Sequence, residues 1–443
     1  MLIVVASIVF YGWWNWRFLG LLLLTAFSTF ATGLLMGKAK DKKRRKALLI
    51  ATLTLNIGIL FFFKYFNFFV QSFVDAFALV GVKMDHITLK ILLPVGVSFY
   101  TFSALSYSID VFQRKVSPTR DVLAYFAYVM FFPSILSGPI NRAQRQLPQY
   151  FVQRVFSYNK AVNACRLILM GGVIKLCLAD RIGIYVDTVY GSIANHNGTT
   201  LLLASILYTI QIYSDFAGYS LMAIGCGGLL GIELPENFHR PYFARTVTDF
   251  WRRWHISLTT WFRDYIYFPL GGNRCSKKRW ALNIVIVFTI SGLWHGAAYT
   301  FVLWGMLHGL CMVVERLIYG ERIKTLTNKI TIANVLRTML TLSLVNALWI
   351  LFRVDGLSNV ALVFKKIFTE PGVPFVDADT LFYSSMFILI LFAIDFKDEH
   401  FKGKIGLLNN HSVVVRWSTY VIMVMMILLF GVLDGGSFIY FKF

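Results

Sequence analysis

Two histidine signatures lie close together in the stretch from Phe250 to Leu310: FWRRWHISLTTWFRDYIYFPLGG at 250–272 and SGLWHGAAYTFVLWGMLHG at 291–309. In the second, His295 has at least eight residues free of formal charge on either side. Ionisable side chains inside a bilayer are costly and rare, and they mark functional sites. This stretch therefore points both to a chain built into a membrane and to the place where it works.

The surrounding sequence agrees. Of 443 residues, 57% are apolar, 16% aromatic and only 15% charged, with a mean hydropathy of +0.64. Soluble globular domains are far more polar. Apolar runs near the roughly 20 residues that a helix needs to cross a bilayer recur along the whole length. Every backbone polar group in lipid must be satisfied internally, and alternating strand patterns are absent, so helices are expected rather than a barrel. The reading is an all-α polytopic membrane protein of about ten to twelve transmembrane helices. No break in hydropathy divides it, so residues 1–443 are taken as a single domain with a catalytic core at about 90–320.

The 43 Lys and Arg exceed the 22 Asp and Glu to give a net charge of +21, but they sit between apolar runs. That placement excludes a nucleic-acid partner and fits loops that fix orientation against a lipid bilayer. The densest run, GKAKDKKRRK at 37–46, is assigned to the cytoplasmic side. Cys165, Cys177, Cys226, Cys275 and Cys311 show neither metal spacing nor a disulfide framework. Residues 1–11 are apolar without a basic start or a small-residue cleavage site, so no cleavable signal is expected.

Several interruptions are expected along the chain. The aromatic cluster at 11–16 reads as an interfacial belt that shortens the first helix or is absorbed into it. The second span is expected to end at Lys64, with 66–82 interfacial or tilted. Pro94 and Gly96 should break the start of 91–112, and FFPSILSGPI at 131–140 is a candidate re-entrant wall. One span, 161–190, carries Arg166, Lys175, Asp180 and Arg181. Residues 201–232 read as two short segments joined at 213–220, with Asp215 at membrane depth. Three more spans follow at 332–352, 380–396 and 413–433, separated by polar loops at 321–329, 365–379 and 397–404. No fixed-period repeat appears.

Read as one helix, 250–265 places Trp251, Trp254, Leu258, Trp261 and Tyr265 on one face and Arg252, His255, Thr259 and Phe262 on the neighbouring stripe. Asp249 can pair with Arg253 one turn away. His255 is then either a hydrogen-bonded member of an interfacial anchor or a site residue. His295 is either an interhelical hydrogen-bonding group or a neutral general base within reach of a hydroxyl. His308, 13 residues on, lies roughly 220° round from His295 on an unbroken helix and is expected to be structural. Asp110, Asp215 and Glu233 leave open a proton path through a transporter or flippase.

Taken in order, YGWWN (11–15), FFKYFNF (62–68), LPVGVSFYTF (93–102), SGPI (137–140), DFAGYS (215–220), LPENFHRPY (234–242), FWRRWHISL (250–258), LWHG (293–296) and FIYFKF (438–443) resemble the membrane-bound O-acyltransferases, in particular the alginate O-acetyltransferase-like bacterial branch. The resemblance covers nearly the whole chain. It implies a ring of helices around a central funnel or tunnel, His295 as the invariant catalytic histidine, and His255 at a second active-site position that is His or Asn across the family. Trp294, Arg252, Asp215 and Asn237 become substrate or tunnel candidates, with no metal. The donor implied is acetyl-CoA or an acyl carrier protein's phosphopantetheine thioester, with no bound cofactor. The acceptor is an extracytoplasmic polysaccharide or partner protein, and the place is the inner (cytoplasmic) membrane. Transfer of D-alanine from a carrier protein to teichoic acid is the neighbouring alternative. Two departures stand out: the first hydrophobic stretch is short for the family, and Leu221 follows DFAGYS where an acid is common.

Overall fold

The computed structural model describes residues 1–82, 89, 91–320, 330–401, 406–433 and 438–439. The expected loop at 321–329, part of that at 397–404, and residues 440–443 of the terminal motif lie outside the described residues. The described chain is helical and contains no strand. Among the described residues, seven helices are long and apolar enough to cross a membrane: Leu2–Lys38, Lys42–Leu79, Gly198–Leu229, Tyr299–Tyr319, Ile332–Arg353, Ala378–His400 and Val413–Phe430. The further spans anticipated from apolar runs are helices that are shorter or carry charge, such as Val97–Phe112 and Lys277–His295. The protein is thus a multi-pass membrane protein. Its contacts divide the chain into two compact units, Met1–Tyr158 with Gly227–Pro235, and Asn159–Cys226 with Glu236–Phe443.

In the first unit the aromatic cluster at 11–16 is absorbed into Leu2–Lys38, which kinks at Asn15, whose backbone is non-helical. Its side chain accepts a hydrogen bond from the Arg17 amide and so restarts the helix. The basic run is the turn into the next helix, where Asp41 caps the amides of Lys43 and Arg44. Arg45 is buried, and its guanidinium donates to the carbonyls of Val111 and Phe112, which end the Val97–Phe112 helix. The second span does not stop at Lys64. It runs through a π-helical turn at Phe61–Tyr65 into Phe66–Leu79, because a π-turn takes up an extra residue within the helix without ending its backbone ladder.

Gly96 is left-handed (φ 77°) and starts the Val97–Phe112 helix, so the expected break is present. A side chain at Gly96 would strike the Ile135 carbonyl. The segment after Phe131 forms only a four-residue helix, and its non-helical continuation is buried. Asn141 donates to Ser134 Oγ (2.7 Å), and Tyr128 donates to the carbonyls of Ser103 (2.7 Å) and Asn141 (3.2 Å). Tyr128 thus satisfies a carbonyl of this irregular backbone, at Asn141, from within the protein.

In the second unit Gly198–Leu229 is one unbroken helix of 32 residues, not two segments joined at 213–220. Three of the polar residues that suggested a break find partners outside the helix: Tyr213 donates to Asp395, Ser220 accepts from Asn237, and Asp215 is paired with Lys175 at 2.5 Å. Residues 158–191 form a continuous helical path, Tyr158–Gly172 then Asp180–Gly191, joined by a π-helical turn at Val173–Ala179.

Lys277–His295 and Tyr299–Tyr319 form a tight helical hairpin. Its closeness depends on Gly292 and Gly305. A β-carbon on Gly292 would overlap the Phe301 carbonyl oxygen, and one on Gly305 the Phe288 carbonyl. Beside His295, the Phe301 backbone packs against Gly292 and the Phe301 ring against Gly296. Gly292→Val is therefore expected to force the hairpin apart at an overpacking cost of about 1–3 kcal/mol or more. The check is the thermal midpoint of the purified protein in detergent, where an unchanged midpoint would contradict this packing.

Candidate active site

The helix expected across 250–265 is broken at the histidine itself. Val247–Arg253 ends, Trp254 is extended (φ −102°, ψ 131°), His255 is left-handed (φ 42°, ψ 53°), and a new helix runs over Ile256–Phe262. The two stripes inferred for a continuous helix therefore do not exist, and Arg252 and His255 part company at the turn. The Asp249–Arg253 pair, which needs only the first helix, is present at 3.1 Å.

The loop carrying LPENFHRPY holds this break in place. The His239 amide donates to the Arg253 carbonyl (2.9 Å), and the Ile256 amide to the Asn237 carbonyl (2.9 Å). The Asn237 side-chain oxygen accepts from the Ser257 hydroxyl (2.6 Å) and amide (3.3 Å), while its amide group donates to Ser220 Oγ (3.2 Å). Asn237 thus caps, from a distant loop, a helix whose own first residue offers no side-chain cap.

Glu399 ties the same pieces together, bound to Arg240 (2.9 Å) and Arg253 (3.0 Å). Glu315 accepts from the amides of Val247 and Thr248 and caps the start of the helix before the break, where a carboxylate also suits the helix dipole.

His295 is the last residue of its helix rather than the middle of a span, and Gly296 after it is extended. Its ring lies 6.3 Å, centroid to centroid, from that of His255. Both are almost wholly buried, at 0% and 3% exposure for His255 and His295. Aromatic rings enclose the pair: Phe216 against His255 (4.6 Å), Trp304 (5.2 Å) and Phe352 (5.3 Å) against His295, and Trp294 beside both (6.1 Å from His255, 4.8 Å from His295). Burial pushes the His255 imidazole down to about 3, so its ring is neutral at ordinary pH.

His308 is held by contacts other than the rotation that the sequence offers. The helix is interrupted at 296–298, so no rotation can be carried from His295 to His308. His308 instead accepts a hydrogen bond from the Trp251 indole (3.2 Å) and packs on Trp304 (5.0 Å).

Of the other sequence candidates, Trp294 and Asn237 border the histidine pair. Asp215 lies in a buried ion cluster with Lys175. Asp110 and Glu233 belong to the other unit. Arg252 is exposed and lines a cavity of about 290 Å³ together with Arg263, Arg316, Trp251, Thr259 and Ser291. Neither histidine lines that cavity, but Thr259 and Ser291 each stand one helical turn from one of them.

A larger cavity of about 560 Å³ lies on the Asn237–Arg240 loop and carries three carboxylates, Glu236, Asp395 and Asp398. Sequence reasoning missed Phe216, Phe352, Glu315 and Glu399. All four are ordinary apolar or charged residues whose position only the fold reveals.

Fold and site together define a polytopic membrane protein with a buried, aromatic-caged histidine pair. A profile of the MBOAT, membrane-bound O-acyltransferase family, matches residues 8–352. Over 373 residues the chain is 36% identical to the probable alginate O-acetylase of Pseudomonas syringae pv. tomato, covering 83% of this chain and 70% of that one. It is 30% identical over 397 residues to the peptidoglycan O-acetyltransferase of Helicobacter pylori (84% and 74% covered). Identity with the teichoic acid D-alanyltransferase of Bacillus subtilis is 28% over 229 residues (49% and 58% covered). The chain belongs to the membrane-bound O-acyltransferase family and is an O-acyltransferase.

Asn237→Ala is expected to cost on the order of 1–2 kcal/mol through loss of the cap, and Asn237→Asp, which keeps an acceptor oxygen, much less. Thermal midpoints of the two variants make the comparison. The depressed His255 value has its own signature. Above pH of about 3 the ring stays neutral, so titration of His255 puts no limb into a rate profile between pH 5 and 8. Comparing the profiles of the native protein and His255→Asn checks this, and a limb near 6.5 that vanishes in the variant would contradict it.

Proposed function

We propose that the chain moves an acetyl group from a cytoplasmic thioester to a hydroxyl on the extracytoplasmic side of the inner membrane, for modification of a cell-surface or exported polysaccharide, directly or through a partner protein. The observation that carries this reading is the buried pair of imidazoles 6.3 Å apart. The relatives named as alginate and peptidoglycan O-acetylating enzymes support the acetyl group and the polysaccharide.

In this mechanism His295 takes the proton of the acceptor hydroxyl as its oxygen bonds to the thioester carbonyl carbon. The neutral His255 ring donates a hydrogen bond to the carbonyl oxygen as negative charge gathers there. The tetrahedral intermediate collapses with cleavage of the carbon–sulfur bond, and the proton held on His295 passes to the leaving thiolate. The aromatic cage keeps water from competing with the acceptor.

The cavity with Arg252, Arg263 and Arg316 suits the donor. Three guanidiniums answer the phosphates that coenzyme A and a carrier protein's phosphopantetheine share, and the apolar wall of Trp251, Leu258 and Phe288 suits the arm. The larger cavity, with its carboxylates, is the poorer match for a phosphate. A transporter fits less well, because the chain is an acyltransferase and Asp215 is engaged in an ion cluster.

Purified protein in liposomes, offered acetyl-CoA or an aminoacylated or acetylated carrier protein and assayed for thiol release, separates the donors. His295→Ala is expected to lower turnover by at least about a hundredfold, and unchanged transfer by folded His295→Ala rules the mechanism out. Arg252→Ala combined with Arg263→Ala is expected to raise the donor KM by about tenfold with less change in kcat.

A further inference from the structure

The π-helical turn at Val173–Ala179 gathers interactions that the proposed chemistry does not use. Lys175 Nζ lies 2.5 Å from Asp180 Oδ1 and 2.5 Å from Asp215 Oδ1, with all three side chains buried. The second oxygen of Asp215 accepts from the Ile439 amide at 2.8 Å, in a buried hydrogen bond.

The same turn binds the preceding stretch. The Leu176 carbonyl accepts from the Val432 amide (3.1 Å), Arg181 donates to the Phe430 carbonyl (3.1 Å), and the Cys177 thiol donates to the Met426 carbonyl (3.4 Å). A π-helical turn displaces its carbonyls from the regular ladder, which is what lets one of them accept from another strand of chain.

These ties place Phe438 in the interior, 4% exposed, against Tyr219 (4.8 Å) and Phe216 (5.9 Å). Phe216, next to Asp215 on the same helix and fully buried, presents its ring edge-on to His255 (4.6 Å, 80°). A short path of contacts therefore runs from the ion cluster through Ile439, Phe438 and Phe216 to the imidazole.

The geometry points to Asp215 and Phe438 as positioning residues that hold Phe216 against His255 and so fix the orientation of that ring for acyl transfer. Asp215, a tunnel candidate from sequence, then acts without touching substrate. Lys175 neutralises its charge and aims its second oxygen at the Ile439 amide. The assignment rests on the reading that His255 serves the reacting group.

The test is a double-mutant cycle in the full chain between Phe438→Ala and His255→Ala, with kcat, donor KM and thermal midpoint measured for each. Phe438→Ala leaves the ion cluster intact and so carries the test even where Asp215→Ala does not fold. Expected are a fall in kcat of about tenfold for Phe438→Ala with donor KM within about threefold, and no further fall when it is added to His255→Ala. Asp215→Asn, which keeps an oxygen for Ile439, is expected to retain more turnover than Asp215→Ala.

Equal falls in both backgrounds would mean that Phe438 acts through general packing and would overturn the assignment, as would a silent Phe438→Ala. A silent His255→Ala removes the functional reading of that histidine, and the assignment with it. Additivity alongside an impaired His255→Ala removes the assignment only.

Discussion

A helix that begins deep inside a membrane protein has exposed amides and nothing nearby in sequence to meet them, and at Ile256 the group that meets them is Asn237. Unmet amides in this setting cost far more than in water. The loop at 234–242 is therefore less a connection than a template, bonded strand-like to residues 253–256 and tied down by Glu399 through Arg240 and Arg253. The sharp turn at Trp254–His255, the burial of His255 and its approach to His295 all depend on that template.

The second histidine is placed by a different kind of constraint. His295 ends a helix whose partner in the hairpin is drawn in at Gly292 and Gly305, and the following chain turns back immediately. The tryptophans and phenylalanines around it close the site without supplying formal charge. In a dry environment of this sort a hydrogen bond is stronger than it would be in water.

The broad architecture was legible in the sequence because hydropathy is a sum over many residues, and the apolar runs at 332–352, 380–396 and 413–433 match helices within a few residues at each end. The break at Gly96 was legible too, through a Pro–Gly pair, and the aromatic cluster at 11–16 marked the region where Leu2–Lys38 kinks. What failed was periodicity carried across a hidden break. Nothing in FWRRWHISL announces a left-handed residue, so the two stripes drawn through 250–265 described a helix that does not form, and the rotation drawn from His295 to His308 crossed a gap at 296–298. The reverse error occurred at 213–220, where polar residues suggested a break that Lys175, far away in sequence, makes unnecessary. His295 was singled out by its charge-free surroundings and His255 by the family resemblance, and the fold brings their rings to 6.3 Å. The pair's supports, Phe216, Phe352, Glu315 and Glu399, were not singled out, because their importance lies in where the fold carries them.

The left-handed backbone at position 255 acts as a filter on which residues natural variation can place there. Branched and bulky side chains are strained at φ 42°, whereas Asn, Asp and His are enriched among the few non-glycine residues that adopt it. The family resemblance implies His or Asn at this position, and both have a side chain able to donate a hydrogen bond. Chain geometry and hydrogen-bonding chemistry thus narrow the choice to the same short alphabet, and a substitution at 255 is judged by the turn before it is judged by the reaction.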